Sequence, residues 1–340
     1  MSQETATAVR VGERGAAVRS FASRKVGFLA SAAVLVAFFA INASISEAVL
    51  TTYGFSSFVN AGATVALAAA GLSVVVMAGG LDLSVAAVVA LVNVVVATRM
   101  QDTSASMMWV SLLAVGIGVA AGALNGVLVT TTGLPSVIVT LATFFIWGGA
   151  ALLVLDSPGG SVPFDFADLL TGVRGGVPNA VLLLLGLCVL WLLLSRTSLR
   201  VNILALGGDR AAARANGVPV AGTEVAAFAI AGFCYGLAGL FLSALTVSGT
   251  PNLGADFTLN AFAAVVVGGT QFGGGRGTPV SGLIGAFVLY TSYSILFTIE
   301  APSELNYVLT GAILVVAVVV QNPRRLLVSR SAEPVSGAGG

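Results

Sequence analysis

Ten stretches of this chain are apolar enough to enter a bilayer, and their recurrence along the whole length limits the fold more than any other feature. They fall near residues 26–43, 59–78, 83–99, 107–130, 135–155, 178–194, 224–247, 257–270, 279–298 and 305–320. A spanning helix needs about 20 mostly apolar residues to cross a hydrocarbon core about 30 Å thick. Composition agrees: 57% of residues are apolar, 9% are charged, and the mean hydropathy is +1.02. A soluble domain carries about 25% charged residues. The chain therefore reads as an all-α polytopic membrane protein of about ten transmembrane helices. The eighth stretch is short and the second and third nearly touch, a pattern expected of broken helices that line a pathway. The first follows basic residues, as a signal peptide would, but it is long and no A-x-A site ends it. It is read as a span.

Orientation follows from where Lys and Arg sit. Arg10, Arg14, Arg19, Arg24 and Lys25 precede the first span. Arg196, Arg200, Arg210 and Arg214 follow the sixth, Arg276 follows the eighth, and Arg324, Arg325 and Arg330 follow the tenth. Only Arg99 and Arg174 fall on the other side, which carries Glu47, Asp102, Asp156, Asp165, Asp168, Asp256, Glu300 and Glu304. Ten spans then place both termini and the basic insert in the cytoplasm. The expected layout is a cytoplasmic tail over residues 1–25, a transmembrane region over 26–322 and a second cytoplasmic tail over 323–340. Asp156, Asp165 and Asp168 read as a solvated outer loop with Pro158, Gly159 and Gly160.

Several chemistries are excluded. The chain has no His, so imidazole metal sites and Ser-His-Asp triads are ruled out. Cys188 and Cys234 lie inside spans and read as small core residues. The segment from Gly268 to Thr278, GGTQFGGGRGT, lacks the G-x-x-x-x-G-K-[ST] spacing of a phosphate loop, and the one lysine of the chain is Lys25. It reads as a cytoplasmic turn. Gly122 and Gly126, then Gly232, Gly236 and Gly239, then Gly282 and Gly285 form small-residue stripes that suit close helix packing in lipid. Some of them are also candidates for sliding contacts.

The polar insert from Ser198 to Pro219, SLRVNILALGGDRAAARANGVP, is the segment able to grip a soluble partner. Asp209 is placed as an N-cap, the run from Ala211 to Ala215 favours helix, and Gly217 with Pro219 stops it. A helix of about two turns is unstable alone in water, so it is expected to dock. Arg210 and Arg214, four apart, share a face that an acidic groove would meet. A solvated loop whose arginines only fix topology is the plainer alternative.

Three stretches resemble the permease subunits of ABC importers of the ribose and monosaccharide type, within the branched-chain amino acid and sugar permease superfamily. They are AGGLDLSVAAVVAL from Ala78 to Leu91, LALGGDRAAARANGV from Leu204 to Val218, and LNAFAAVVVGGTQFGGGRGTPVSGLIGAF from Leu259 to Phe287. The resemblance covers roughly residues 55–322. It implies a type II ABC importer-like bundle in a bacterial cytoplasmic membrane, paired with a second permease copy or a similar permease. ABC ATPase subunits would lie beneath and an extracytoplasmic binding protein above. It implies no cofactor in this chain, ATP being used by the ATPase subunits, and no enzymatic activity of its own. Gly207, Gly208, Asp209, Arg210, Ala212, Arg214 and Gly217 would form the coupling helix and its flanks. Related permeases often carry a Glu near the start of this segment, where this chain has Asp209-Arg210 before Ala211.

For the solute pathway, Asn60, Asp82, Ser84, Asn93, Asn125 and Asn260 are the polar residues within or at the ends of spans. Neutral amides suit a hydroxyl-rich solute, although hydrogen bonds between helices account for buried Asn equally well. Asp82 is expected mainly to cap the third span, with Ser84 assisting. The same architecture importing nucleosides, branched-chain amino acids or another small polar metabolite is the nearest alternative. An ion-coupled carrier needs buried titratable groups, and Asp82 and Glu224 are the two on offer. A membrane enzyme finds no catalytic cluster. Single cysteines placed within 198–220, on a background lacking Cys188 and Cys234, are expected to react with an impermeant maleimide from the cytoplasmic side only; labelling from outside would overturn this topology.

Overall fold

The computed structural model describes residues 28–321, so the two tails assigned from sequence lie outside the described residues. Thirteen α-helices, a short 3-10 turn at Glu47–Leu50 and one small hairpin make up the described chain. The helices are α1 (Phe28–Ile45), α2 (Thr52–Met77), α3 (Val85–Arg99), α4 (Ser104–Thr132), α5 (Ser136–Val154), α6 (Phe164–Thr171) and α7 (Asn179–Leu194). After them come α8 (Ser198–Gly208), α9 (Arg210–Ala215), α10 (Val220–Thr246), α11 (Gly254–Val267), α12 (Pro279–Thr298) and α13 (Leu305–Gln321). Each of the ten apolar stretches has become one helix.

Local chemistry sets the boundaries. The Thr51 hydroxyl accepts from the Gly54 amide at 3.0 Å and starts α2, while Thr103 accepts from Ser106 at 3.2 Å and starts α4. Proline stands at or just before the first residue of α5, α6, α7, α10 and α12, where a missing amide costs nothing. Gly133, with φ of 68°, closes α4.

Six helices (α1, α2, α4, α5, α10 and α12) are long and apolar enough to cross a bilayer alone. The 15-residue α3 and 14-residue α11 are shorter, and at 1.5 Å per residue they rise only about 21–22 Å. Before α3, residues 78–84 continue α2 as non-helical backbone. Such backbone is tolerated at membrane depth only when its polar groups are satisfied inside the protein, and here α5 satisfies them. The Leu81 amide donates to Ser136 Oγ at 2.9 Å and the Leu83 amide to Thr140 Oγ1 at 3.0 Å. The second expected span and the third are thus two helices joined by a non-helical break in which Asp82 and Ser84 are buried.

Helix α2 is the axis of the bundle, buried along almost its whole length and packed on α10, α11 and α12. The tightest seam joins α4 to α10. A Cβ at Gly118 would lie 2.8 Å from the Gly236 Cα, one at Gly122 3.0 Å from the Gly232 Cα, and one at Gly126 2.6 Å from the Val225 Cα. Gly239 backs onto Val92 of α3, Gly282 onto Ala69 of α2 and Gly285 onto Ala264 of α11. Every glycine stripe read from the sequence is a helix crossing without room for a methyl group.

At the end of the bundle opposite α9, the segment between α5 and α7 differs from the plain loop expected of it. Asp156, Asp165 and Asp168 are exposed, but residues Phe164–Thr171 form α6 because Phe166 and Ala167 find a buried seat. An antiparallel pair, Val173–Arg174 with Val177–Pro178, follows it. The Gly159 and Gly249 backbones bridge at 3.0 and 2.7 Å, and the Ser161 amide donates to the Ala97 carbonyl at 3.0 Å, which ties the ends of α3, α5 and α10 together.

Gly122→Ala is expected to lower the thermal stability of detergent-solubilised protein by about 1–3 kcal/mol, the usual cost of overpacking. Gly116→Ala, on the open face of the same helix, should be neutral or slightly stabilising. Equal unfolding midpoints for the two variants would contradict the seam.

Candidate coupling site

The insert after α7 folds as two helices, where the sequence suggested one. Helix α8 leaves α7 at an angle of 84°. Its Ile203 and Leu206 are buried, and Ile203, Leu199 and Leu204 pack in a cluster with Val74 and Met77 of α2, Trp191 of α7 and Ala227 of α10. Sequence periodicity understated this element because an 11-residue amphipathic helix depends on the surface it docks against.

Helix α9 forms as its caps require. Asp209 Oδ1 accepts from the Ala211 amide at 2.8 Å and the Ala212 amide at 2.9 Å. At the other end Gly217, with φ of 79°, donates to the Arg214 carbonyl at 3.1 Å while Val218 donates to Ala213 at 3.0 Å. That pairing is a Schellman motif, and its left-handed position favours glycine. Ala213 alone is buried; Gly208, Asp209, Ala212, Arg214 and Gly217 are exposed.

The two arginines do not form one free basic face. Arg210 turns back and forks onto Glu224 in the first turns of α10, with Nη1 to Oε1 at 3.0 Å and Nη2 to Oε2 at 2.6 Å. It is the one ion pair among the described residues, and its hydrogen bonds hold the Arg210 guanidinium above its ordinary pKa. Arg214 is left as the exposed cation of α9. The expectation of a shared Arg210–Arg214 face is corrected on this point, and nothing in the 14-residue separation signals the Glu224 partnership.

At the end of α8, just before α9, three backbones meet at glycine. The Gly275 amide donates to the Met77 carbonyl at 2.9 Å. A Cβ at Gly274 would stand 2.9 Å from the Cα atoms of both Gly207 and Gly79, and one at Gly275 would stand 2.9 Å from the Gly208 Cα. Gly207 faces the Met77 carbonyl with no space for a side chain. The carboxyl end of α2, the end of α8 and the turn from Gly268 to Thr278 are thereby in direct main-chain contact.

The polar residues expected along the spans occupy separate places. Asp82 and Ser84 are fully buried, with Asp82 Oδ1 accepting from the Ser84 amide at 2.9 Å and its hydroxyl at 2.6 Å. Asp82 therefore stabilises the turn before α3 from two residues ahead of the N-cap position, Ser84, rather than capping the helix as expected. Asn125 of α4 donates to Ser84 Oγ at 2.8 Å, and Tyr235 of α10, which the sequence reading passed over, stands in electrostatic contact with Asp82. Asn60 donates to the Thr171 carbonyl at 2.7 Å. Asn93 donates to Ser243 Oγ at 2.9 Å and to the Ser248 carbonyl at 3.1 Å, and accepts from the Thr250 amide at 2.6 Å. Asn260 is half-exposed at the middle of α11. A groove of about 290 Å³ between α2, α4, α7 and α10 is lined by apolar groups such as Val74, Leu187, Trp191 and Phe233, and offers a hydroxyl-rich solute nothing to bind.

The family model described as branched-chain amino acid transport system / permease component matches residues 54–318, from the start of α2 into α13. The chain belongs to this permease family. The permease is 34% identical over 300 residues to the D-allose transport system permease protein of Escherichia coli (strain K12), covering 86% of this chain and 90% of that protein. It is 31% identical over 263 residues to the ribose import permease protein of Haemophilus influenzae, with 76% and 81% covered. It is also 31% identical over 300 residues to a probable ABC transporter permease protein of Sinorhizobium fredii, with 85% and 86% covered. No solved structure matches it. The permease spans the membrane many times, and the matched region contains residues 198–220 and every polar span residue named above.

Asp209→Ala in this permease is expected to cost α9 about 1 kcal/mol, the usual worth of an N-cap. Hydrogen exchange should then speed up at the Ala211 and Ala212 amides and leave α10 unchanged. Unaltered exchange across 209–218 would show that capping does not hold the helix.

Proposed function

We propose that the chain is the membrane-spanning subunit of an ATP-driven importer and forms the passage for a monosaccharide of the ribose, xylose, galactose or allose kind. Two such subunits, or this one and a similar partner, enclose the passage in a bacterial cytoplasmic membrane. ABC ATPase subunits dock on the α8–α9 face and an extracytoplasmic binding protein delivers the sugar at the other. The basic residues of α8, α9 and the 268–278 turn orient that face to the cytoplasm.

One observation carries this reading. Helix α9 is a capped six-residue rod with an exposed outer face, joined through Asp209 to the end of α8, where Gly207 and Gly208 are in main-chain contact with the end of α2 and the 268–278 turn. A push on such a rod is passed on rather than absorbed, because close-packed backbone has no slack. Asp209, Ala212 and Arg214 present the contact surface, while Gly207, Gly208 and Gly217 set its position. The transport names of two relatives, D-allose and ribose, support a neutral hydroxylated cargo. So does the scarcity of charge in the spans. Among the polar residues of the spans, Asn260 has the exposure to meet solute in this conformation, and Asn60, Asp82, Ser84, Asn93 and Asn125 shape the passage from behind.

Uptake of labelled D-ribose and D-allose by cells carrying the complete importer is expected to stop on ATP depletion and to survive collapse of the proton gradient. The reverse pattern would mark an ion-coupled carrier and overturn the proposal. Exchanging the charges of α9 with Asp209→Lys and Arg214→Glu together is expected to reduce uptake about tenfold or more while the protein remains inserted. Normal uptake with undiminished recovery of the ATPase would count against α9 as the coupling element.

A further inference from the structure

We infer that Glu224 is the positioning residue of the coupling helix: held by Arg210, it locks α9 to the first turns of α10, so that displacement of α9 becomes displacement of α10. The inference rests on the transport reading above and assigns a role to a residue outside the coupling segment itself.

The geometry is specific. The two terminal guanidinium nitrogens each donate to one carboxylate oxygen, at 3.0 and 2.6 Å, an arrangement that fixes direction as well as distance. The pair is also asymmetric, with the Arg210 side chain 50% exposed and that of Glu224 only 8%. An exposed ion pair contributes little, but a carboxylate this enclosed is strongly destabilising once its counter-charge is removed. Glu224 thus holds Arg210 in place more firmly than an exposed pair would.

The lock is needed because the covalent link is weak in bending. Between α9 and α10 the chain turns through Gly217, with φ of 79°, and Pro219. Without the fork, the buried Ala213 and the two Schellman hydrogen bonds are the remaining ties described for α9 at that corner. Beyond Glu224 the path is stiff. Helix α10 runs 27 residues, lies against α4 on the glycine seam, and hydrogen-bonds Asn93 of α3 through Ser243 near its far end. A movement imposed at α9 therefore reaches the opposite end of the bundle without crossing a flexible joint.

The test compares wild type, Glu224→Gln, Arg210→Gln and the exchanged pair Arg210→Glu with Glu224→Arg, each as full-length chain in nanodiscs and as complete importer in proteoliposomes. In nanodiscs, hydrogen exchange over 209–218 should accelerate about tenfold in either single variant and return toward wild type in the exchanged pair. In proteoliposomes, sugar moved per ATP hydrolysed should fall about fivefold or more in the single variants and recover in the exchanged pair. A merely stabilising ion pair would lower protein yield and leave that ratio alone. Single variants with wild-type exchange and wild-type ratio, or an exchanged pair no better than either single variant, would overturn the inference. If wild type itself shows no ATP-dependent uptake, the transport reading fails and the role in coupling with it, while the exchange data still decide whether the lock exists.

Discussion

Main-chain contact at glycine is the interaction on which this bundle depends. Lipid tails are as apolar as leucine, so burying hydrocarbon gives helices no reason to prefer each other to the membrane. What remains is close packing and hydrogen bonding, and both improve when backbones touch. The α4–α10 seam at Gly118, Gly122, Gly126, Gly232 and Gly236 does this inside the bilayer. The meeting of Gly79, Gly207 and Gly274 does it at the coupling end. Helix α10 links the two regions: it carries half of the seam and, through Glu224, holds α9, which follows Gly207 and Gly208 in the chain. The helix proposed to receive force is therefore fastened to the same long helix that carries the seam.

Much of this was legible in the sequence, for a physical reason. Bilayer thickness fixes the length of an apolar run, so the stretches at 135–155 and 279–298 match α5 and α12 within a residue. Caps are equally local, and Asp209 and Gly217 mark the ends of α9 because capping involves groups only two or three residues apart. Helix α2 starts seven residues before its apolar stretch, since the Thr51 cap lets a more polar turn join the helix. Nonlocal chemistry left no such trace. Arg210 and Glu224 lie on different helices, and no periodicity links them. Helices α6 and α8 exist by virtue of the surfaces that receive Phe166 and Ile203. Tyr235 looks like one more large residue in an apolar helix until the fold sets it beside Asp82.

The same division applies to the polar residues of the spans. Composition alone could suggest that Asn60, Asn93 and Asn125 face a passage. In the fold each is committed to a partner on another segment. The amides thus determine which segments stay together.

The break at residues 78–84, with Asp82 and Ser84 buried in it, shows where separating segments is too costly. Ser136 and Thr140 on α5, Leu81, Leu83, Asp82 and Ser84 in the break, and Asn125 on α4 form a continuous web. Pulling any member away would strand donors and acceptors in hydrocarbon, at several kcal/mol for each group. Helices α3, α4 and α5 are consequently tied into a single raft, to which the glycine seam and the Asn93–Ser243 hydrogen bond add α10. The edges of that raft, rather than its interior, are where a gate has freedom to open.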